Sequence, residues 1–312
     1  MAAARCGGAT RTCRSSATST EASTTTRATR PTTRLSFAWL ATLPFFAYTI
    51  LFLFLPAAAV LIGAFQGKVH GYTLENIRTL FHHPYIDAYW VSIKLSLITA
   101  AIGGVAGLFI AYAAIREGTP RWIRSVLTTF SGVAANFGGI PLAFAFIASL
   151  GPLGVLTLFL KNQLHFDITA HGFNLFSTFG IGLAYMYFQL PLMILVIAPA
   201  VDGLRKEWRE ASANLGASQL QFWRFVALPV LMPSMLGAII LLFGNAFAAY
   251  ATAYGINANA KLITILIGSF YSGNVLDNPH LSQAMALGMF VVLSLMMVIY
   301  IPLQRRAARW AK

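Results

Sequence analysis

Long runs without a single Asp, Glu, Lys or Arg alternate along this chain with short polar segments. Six of the runs are long enough for a helix to cross a hydrocarbon layer, which takes about 20 apolar residues. They cover residues 35–67, 95–115, 125–160, 172–201, 225–260 and 281–304. Within the longer runs the pattern predicts helices near residues 36–65, 126–149, 177–199 and 234–255, with the remainder in loops or interfacial turns. The first run is too long for a secretory signal and lacks a small-residue cleavage site behind a short apolar core. Residues 1–34 contain Ala, Thr, Ser and Arg with one acid, Glu21, and no apolar run, a composition that predicts disorder. Such a tail suits a basic cytoplasmic extension, an organellar transit peptide or an over-long start-site assignment, and the extension is the plainest of the three.

Composition agrees with a membrane protein: 57% of the 312 residues are hydrophobic and only 10% charged. A net charge of +13 would suggest nucleic acid in a soluble chain, but here its distribution reads as orientation. With the N-terminus inside, inner segments carry 17 Lys and Arg and outer segments 5, and the ratio is 11 to 5 without the tail. The expected fold is an all-α integral membrane protein, six transmembrane helices over residues 35–312 with both termini cytoplasmic, multi-pass in a bacterial inner membrane. Cys6 and Cys13 both lie in the tail and form no disulfide framework. The six histidines fall in outer segments, where the His82-His83 pair is read as solvated and no metal site is assigned.

Within the runs, Pro44, Pro56, Pro141, Pro191 and Pro199 and the groups Gly103-Gly104-Gly107 and Gly138-Gly139 interrupt or narrow helices, which must then pack as a bundle. Gly103 and Gly107 form a G-x-x-x-G face for close backbone approach. Asn136, Gln189 and Asn245 stand near the middle of their runs, with Tyr250 following Asn245. A polar group at that depth faces protein or a watery path, so these four are candidate pathway-lining residues. Interhelical hydrogen bonding is the competing role, favoured for Gln189 beside Pro191. No His, Asp, Glu or Cys lies inside any run, which argues against an intramembrane enzyme and weakens a proton-coupled carrier; a Na⁺-coupled carrier remains open. There is no G-x-x-x-x-G-K-[ST] phosphate loop, so no nucleotide cofactor is assigned to the chain itself.

The polar loop over residues 202–232 has a specified order. Trp208, Ala211, Ser212 and Leu215 fall on one helical face, with Asp202, Glu207 and Glu210 around the first turns. Gly216 supplies a stop, and Ser218 with Gln221 reads as a capping box opening a second helix toward Leu228-Pro229. The expected result is a helix–turn–helix elbow on the cytoplasmic surface.

Glu210-Ala211-Ser212, three residues, Gly216-Ala217, then Trp223 and Leu228-Pro229 resembles the EAA loop of permease subunits of binding-protein-dependent ABC importers. Ser212 replaces the usual second Ala and Trp223 the usual Phe. The resemblance implies a methionine-importer-like permease fold forming half of a solute pathway. It implies as partners a second permease subunit, identical or related, two cytoplasmic ABC ATPases that bind ATP-Mg, and an extracytoplasmic solute-binding protein. Membrane lipid surrounds the assembly and nucleic acid has no part in it. By the same resemblance Glu210, Ala211 and Gly216 form the coupling helix that sits in a cleft of the ATPase. Similarity of residues 185–191 and 245–254 to polyamine, thiamine, ferric-ion and phosphonate permeases implies a small polar solute, with a polyamine type first. A secondary ion-coupled transporter is the alternative, and an intramembrane enzyme stands behind it.

Overall fold

The structure is a computed structural model that describes residues 38–67, 71–115, 119–272 and 279–310. The tail over residues 1–34, with Cys6 and Cys13, lies outside the described residues, as do Lys68, His70 and Arg116. The chain divides into two units, Met1–Leu51 and Phe52–Lys312. In the first, α1 (Ala38–Thr49) carries Pro44, and Thr49 turns its hydroxyl back onto the Phe45 carbonyl at 2.8 Å.

The second unit is a helical bundle. After a π-helical turn (Ile50–Phe54) come α2 (Leu55–Gly63), the short α3 (Glu75–Thr79), α4 (Tyr85–Ile115), α5 (Arg121–Asn136), α6 (Ile140–Leu150) and α7 (Val155–Gln163). They are followed by α8 (Thr178–Asp202), α9 (Lys206–Asn214), α10 (Gln219–Phe222), a second π turn (Trp223–Ala227), α11 (Leu228–Phe247), α12 (Ala251–Ile256), α13 (Ile263–Ser272) and α14 (Pro279–Trp310). Among the described residues, six stretches are long and apolar enough to cross a membrane: Thr42–Gly63, Tyr85–Ile115, Ile140–Gln163, Thr178–Asp202, Gln219–Phe247 and His280–Ala307.

The centre of the bundle is the packing of α4 on α8, with α11 against both and α14 outside α11. Three glycines of α4 permit it. A Cβ on Gly107 would stand 2.6 Å from the Met193 Cβ, and one on Gly103 3.1 Å from Gln189 Oε1, so this face seats α8. A Cβ on Gly104 would lie 2.6 Å from Ile239, so the neighbouring face seats α11. Without a hydrophobic drive between helices in lipid, such close approach is what holds them. Met193, Ile197, Leu231, Leu242, Phe243 and Ile263 are buried in the resulting core.

Four features depart from the sequence reading. The second crossing starts ten residues before its uncharged run, because Asp87 and Lys94 are tolerated near the outer end of α4: His83 pairs with Asp87 at 2.6 Å, and Lys94 lies 5.0 Å over the Trp90 ring. The helix expected near 126–149 is two helices, α5 and α6, parted at Phe137–Gly139, where Gly139 takes φ +78°. Arg124 pairs with Asp202 at the inner end of α8, whereas Leu150 and Leu183 share a pocket wall with Phe173 near its outer end. Together α5 and α6 therefore run the length of α8, although Ile140–Gln163 is the more apolar stretch. The helix expected near 234–255 also divides, between α11 and α12 at Ala248–Tyr250. Finally α13, ten residues within an expected outer segment, buries Ile263, Thr264 and Ile265, and its Ile263 N–H donates to Ser92 Oγ of α4 at 2.9 Å.

An outer loop between α7 and α8 folds around Asp167, whose carboxylate accepts from the Thr169 hydroxyl and from the Thr169 and Ala170 amides and pairs with Lys161 at 3.0 Å. The Thr169 hydroxyl first, then Lys161, holds this carboxyl well below the usual carboxylate range.

The glycine seats predict a sharp contrast. Gly107→Leu drives a side chain into Met193 and the Leu190 carbonyl and should destabilise the bundle by about 1–3 kcal/mol. Gly132→Ala, within α5 where an added Cβ meets nothing within 4 Å, should leave stability unchanged or raise it by up to about 1 kcal/mol. Melting of the purified variants in detergent checks this, and equal midpoints would refute the close-packing role.

Candidate functional site

Two polar features stand out on the bundle. The first is a cavity of about 480 Å³ where the interruptions of the third and fifth crossings face each other. Asn136 ends α5, Gly138 and Gly139 form the break before α6, Asn245 lies near the end of α11, Tyr250 closes the break between α11 and α12, and Thr252 lies in the first turn of α12. Phe188, close to the midpoint of α8, closes the back, which puts the cavity at mid-depth of the bundle. The breaks are bonded to one another and to α8. The Gly139 N–H donates to Thr252 Oγ1 at 2.8 Å, and the Tyr185 hydroxyl donates to the Ala249 carbonyl at 2.7 Å. These bonds replace the ladder bonds that a continuous helix would supply.

Of the four residues expected to line a pathway, the cavity gathers Asn136, Asn245 and Tyr250. Asn136 and Asn245 are exposed to it, although the Asn136 amide also donates to the Gly132 carbonyl at 2.9 Å. Tyr250 stacks on Tyr254 with ring centroids 5.3 Å apart. Gln189 is elsewhere. It is fully buried between α4 and α8, donates to Thr99 Oγ1 at 3.0 Å, and lies against Gly103, an interhelical contact and not a lining group. Sequence reasoning did not select Thr252, Gly139 or Phe188. The Gly138-Gly139 pair was a visible signal for the break; Phe188 and Thr252 enter through tertiary placement that no local pattern encodes. Among the described residues no acidic or basic side chain lines the cavity, so it offers amide and hydroxyl groups and the start of α6, whose dipole favours negative charge.

The second feature is the elbow. α9 ends in a Schellman arrangement: Gly216 takes φ +78°, its N–H donates to the Ala213 carbonyl at 2.9 Å, and the Ala217 N–H donates to the Ser212 carbonyl at 3.0 Å. One residue on, Ser218 Oγ accepts from the Gln221 N–H at 3.3 Å while the Ser218 N–H donates to Gln221 Oε1 at 2.7 Å, a complete capping box. The elbow is thus fixed by its own backbone. Its two arms differ in burial. α9 has no buried residue and presents Glu210 and Ala211 exposed, Ser212 partly so, and Trp208 and Leu215 at 38% and 88% exposure. The following arm is anchored: Phe222 and Ala227 are buried, and Trp223 meets Tyr112 of α4 edge-on with centroids 4.3 Å apart. Leu228 and Pro229, both partly buried, then start α11. Asp202, read as part of the first elbow helix, instead ends α8 and pairs with Arg124; Glu207 occupies the first turn of α9, and Glu210 lies 3.6 Å from Lys206.

Residues 103–310 match the family described as the binding-protein-dependent transport system inner membrane component. The chain belongs to this family. It is a multi-pass inner-membrane permease of a binding-protein-dependent ABC importer. The sulfate transport system permease protein of Synechococcus elongatus is 31% identical over 202 residues, 64% of this chain and 66% of its own length. A probable sulfate transport system permease protein of Nephroselmis olivacea is 27% identical over 228 residues, 72% of this chain and 74% of its own. Among solved structures, a chain of a bacterial ABC transporter involved in the import of the acidic polysaccharide alginate superposes with a TM-score of 0.65 at 18% identity, covering 88% of this chain and 96% of that one. A chain of the inward-facing methionine ABC transporter MetNI superposes with a TM-score of 0.50 at 16% identity, covering 71% and 95%. These structural likenesses establish the fold and agree with the methionine-importer-like expectation. The polyamine expectation is overturned: these sequence relatives carry the name of sulfate transport. Membership among transport components leaves the carrier and enzyme alternatives without support.

The bond across the cavity makes a testable prediction. Thr252→Val orphans the Gly139 N–H at depth and should cost about 1–3 kcal/mol, whereas Thr252→Ser keeps the acceptor and should melt close to the parent protein. Identical melting of the two variants would remove that bond from the account.

Proposed function

We propose that this permease conducts sulfate or a similar tetrahedral oxyanion as one half of a paired translocation pathway. The observation that carries the reading is its similarity, over about two thirds of the chain, to sulfate transport system permease proteins. The cavity supports it physically. Uncharged amide and hydroxyl groups exchange hydrogen bonds with an oxyanion while leaving no fixed countercharge to trap it. Solute choice then rests largely with the binding protein that delivers it.

The drive comes through the elbow. In this reading Glu210, Ala211, Ser212, Gly216 and Ala217 form the head that enters a cleft on a cytoplasmic ABC ATPase, and Trp223, Leu228 and Pro229 the heel that carries the motion into α11. ATP-Mg is bound and hydrolysed by that partner. Closure of the ATPase pair displaces α9, and because its heel is seated against α4 and continues into α11, the displacement tilts the fifth crossing and its break at Ala248–Tyr250. A second permease subunit supplies the other half of the path, and an extracytoplasmic binding protein docks on the outer loops. One solved relative by fold is an alginate transporter in complex with a substrate-bound periplasmic protein, which supports such an assembly without specifying it.

Labelled sulfate uptake in cells lacking their own sulfate importer tests the solute. Expression of this chain with its ATPase and binding protein should restore uptake, and excess spermidine should leave it unchanged; failure of sulfate uptake alongside uptake of another solute would overturn the assignment. In the same cells Asn245→Leu should lower uptake with normal membrane levels. Gly216→Pro, which cannot adopt φ +78°, and Glu210→Arg should cut uptake about tenfold, equivalent to about 1.4 kcal/mol, while the ATPase still hydrolyses ATP. Wild-type uptake in both variants would dismiss the elbow as the coupling element.

A further inference from the structure

Beside the elbow, at the cytoplasmic ends of α4, α5 and α8, lies a separate cavity of about 260 Å³ with a polar wall. Tyr112, Arg124, Asp202, Arg205, Lys206 and Arg209 contribute to it, so the wall holds four cations and one carboxylate. That carboxylate is already committed, because Asp202 pairs with Arg124. Lys206 is engaged with Glu210 at 3.6 Å. Arg205 and Arg209 have no carboxylate partner among the described residues, and Arg209 is partly buried. Two arginines lining one small cavity with no carboxylate partner among the described residues constitute an incomplete ionic site. Planar guanidinium donors match the oxygens of sulfate and phosphate groups.

The excess of basic residues on this side of the membrane does not account for the arrangement. Arg305 and Arg306 belong to the same side and are simply exposed on α14. The cavity also joins elements that must move against one another. Tyr112 belongs to α4 and meets Trp223 of the elbow heel, Arg124 starts α5, Asp202 ends α8, and Arg205 and Arg209 frame the start of α9.

We propose that this cavity binds a single sulfate or phosphate group at the root of the elbow, held chiefly by Arg205 and Arg209, and that occupancy ties α9 to the inner ends of α4, α5 and α8. The group is either a free cytoplasmic oxyanion or the headgroup of an anionic phospholipid in the inner leaflet; both present the same oxygens to the same guanidinium groups. The site is distinct from the mid-depth cavity and does not depend on which solute the transporter carries.

The full chain in nanodiscs tests this without any partner subunit, read by tryptophan fluorescence and thermal melting at constant ionic strength. In neutral phosphatidylcholine discs, inorganic phosphate and inorganic sulfate should each give a saturable shift if the ligand is a free ion. If it is a headgroup, the shift should arise only when phosphatidylglycerol is introduced. In either arm the double variant Arg205→Gln/Arg209→Gln should weaken half-saturation about tenfold or more, since each lost bond is charge-assisted. Arg305→Gln/Arg306→Gln, matched in charge, and Asn245→Leu, in the other cavity, should keep the response. No saturable shift in either arm, a shift that survives the Arg205/Arg209 change, or one lost equally in the Arg305/Arg306 control would overturn the site.

Discussion

Every interruption of a crossing in this protein is governed by one constraint: hydrocarbon offers no water to a freed backbone group, so protein must supply the partner. The two breaks at mid-depth meet that constraint with each other's chemistry. Thr252, just past the break in the fifth crossing, accepts the amide of Gly139 in the third, and Tyr185 of α8 donates to the Ala249 carbonyl. The breaks are therefore neither independent nor loose. They are fastened to α8, which the glycines of α4 hold at close range, and the cavity exists because that fastening keeps two helix ends apart from one another at a fixed place.

The elbow answers the same demand at the water boundary in a different way. Its turn closes its own hydrogen bonds through the Schellman arrangement at Gly216 and the reciprocal Ser218 and Gln221 pair, so shape costs it no burial. This frees α9 to leave Trp208 and Leu215 uncovered, while Phe222, Trp223 and Ala227 do the anchoring. A rigid head with an exposed apolar face, joined to a seated heel, transmits displacement; a flexible loop of the same composition would absorb it.

Which parts of this were legible in the sequence follows from the range of the interactions involved. The elbow's stop and restart depend on residues no more than five apart, and Gly216, Ser218 and Gln221 could be read directly. Orientation could be read because Lys and Arg placement is summed over whole segments. The breaks could not: Gly138-Gly139 signalled weakness in the third crossing but not its location relative to Asn136, and at Ala248–Tyr250 neither Gly nor Pro marks the point where α11 stops. That stop is reinforced by Tyr185, more than sixty residues upstream. The role of Gln189 is of the same kind, since a glutamine beside Pro191 could line a path or bond to a neighbour, and only the proximity of Thr99 and Gly103 decides it. α13 escaped because a ten-residue helix is too short to span and its burial depends on Ser92 and α14.

The two cavities differ in a manner that fits opposite tasks. A group that must pass through is released more readily from exchangeable hydrogen bonds than from a fixed countercharge, because breaking a buried ion pair leaves one charge uncompensated. The mid-depth cavity accordingly offers Asn136, Asn245 and Tyr250, whose hydrogen bonds can be exchanged one at a time for those of water. The cavity at the elbow's root places Arg205 and Arg209 beside an arginine–aspartate pair, an arrangement suited, on the proposal above, to retaining an anion between α9 and the inner ends of α4, α5 and α8. On the proposed function, charge is thus kept off the candidate path and gathered beside the elbow.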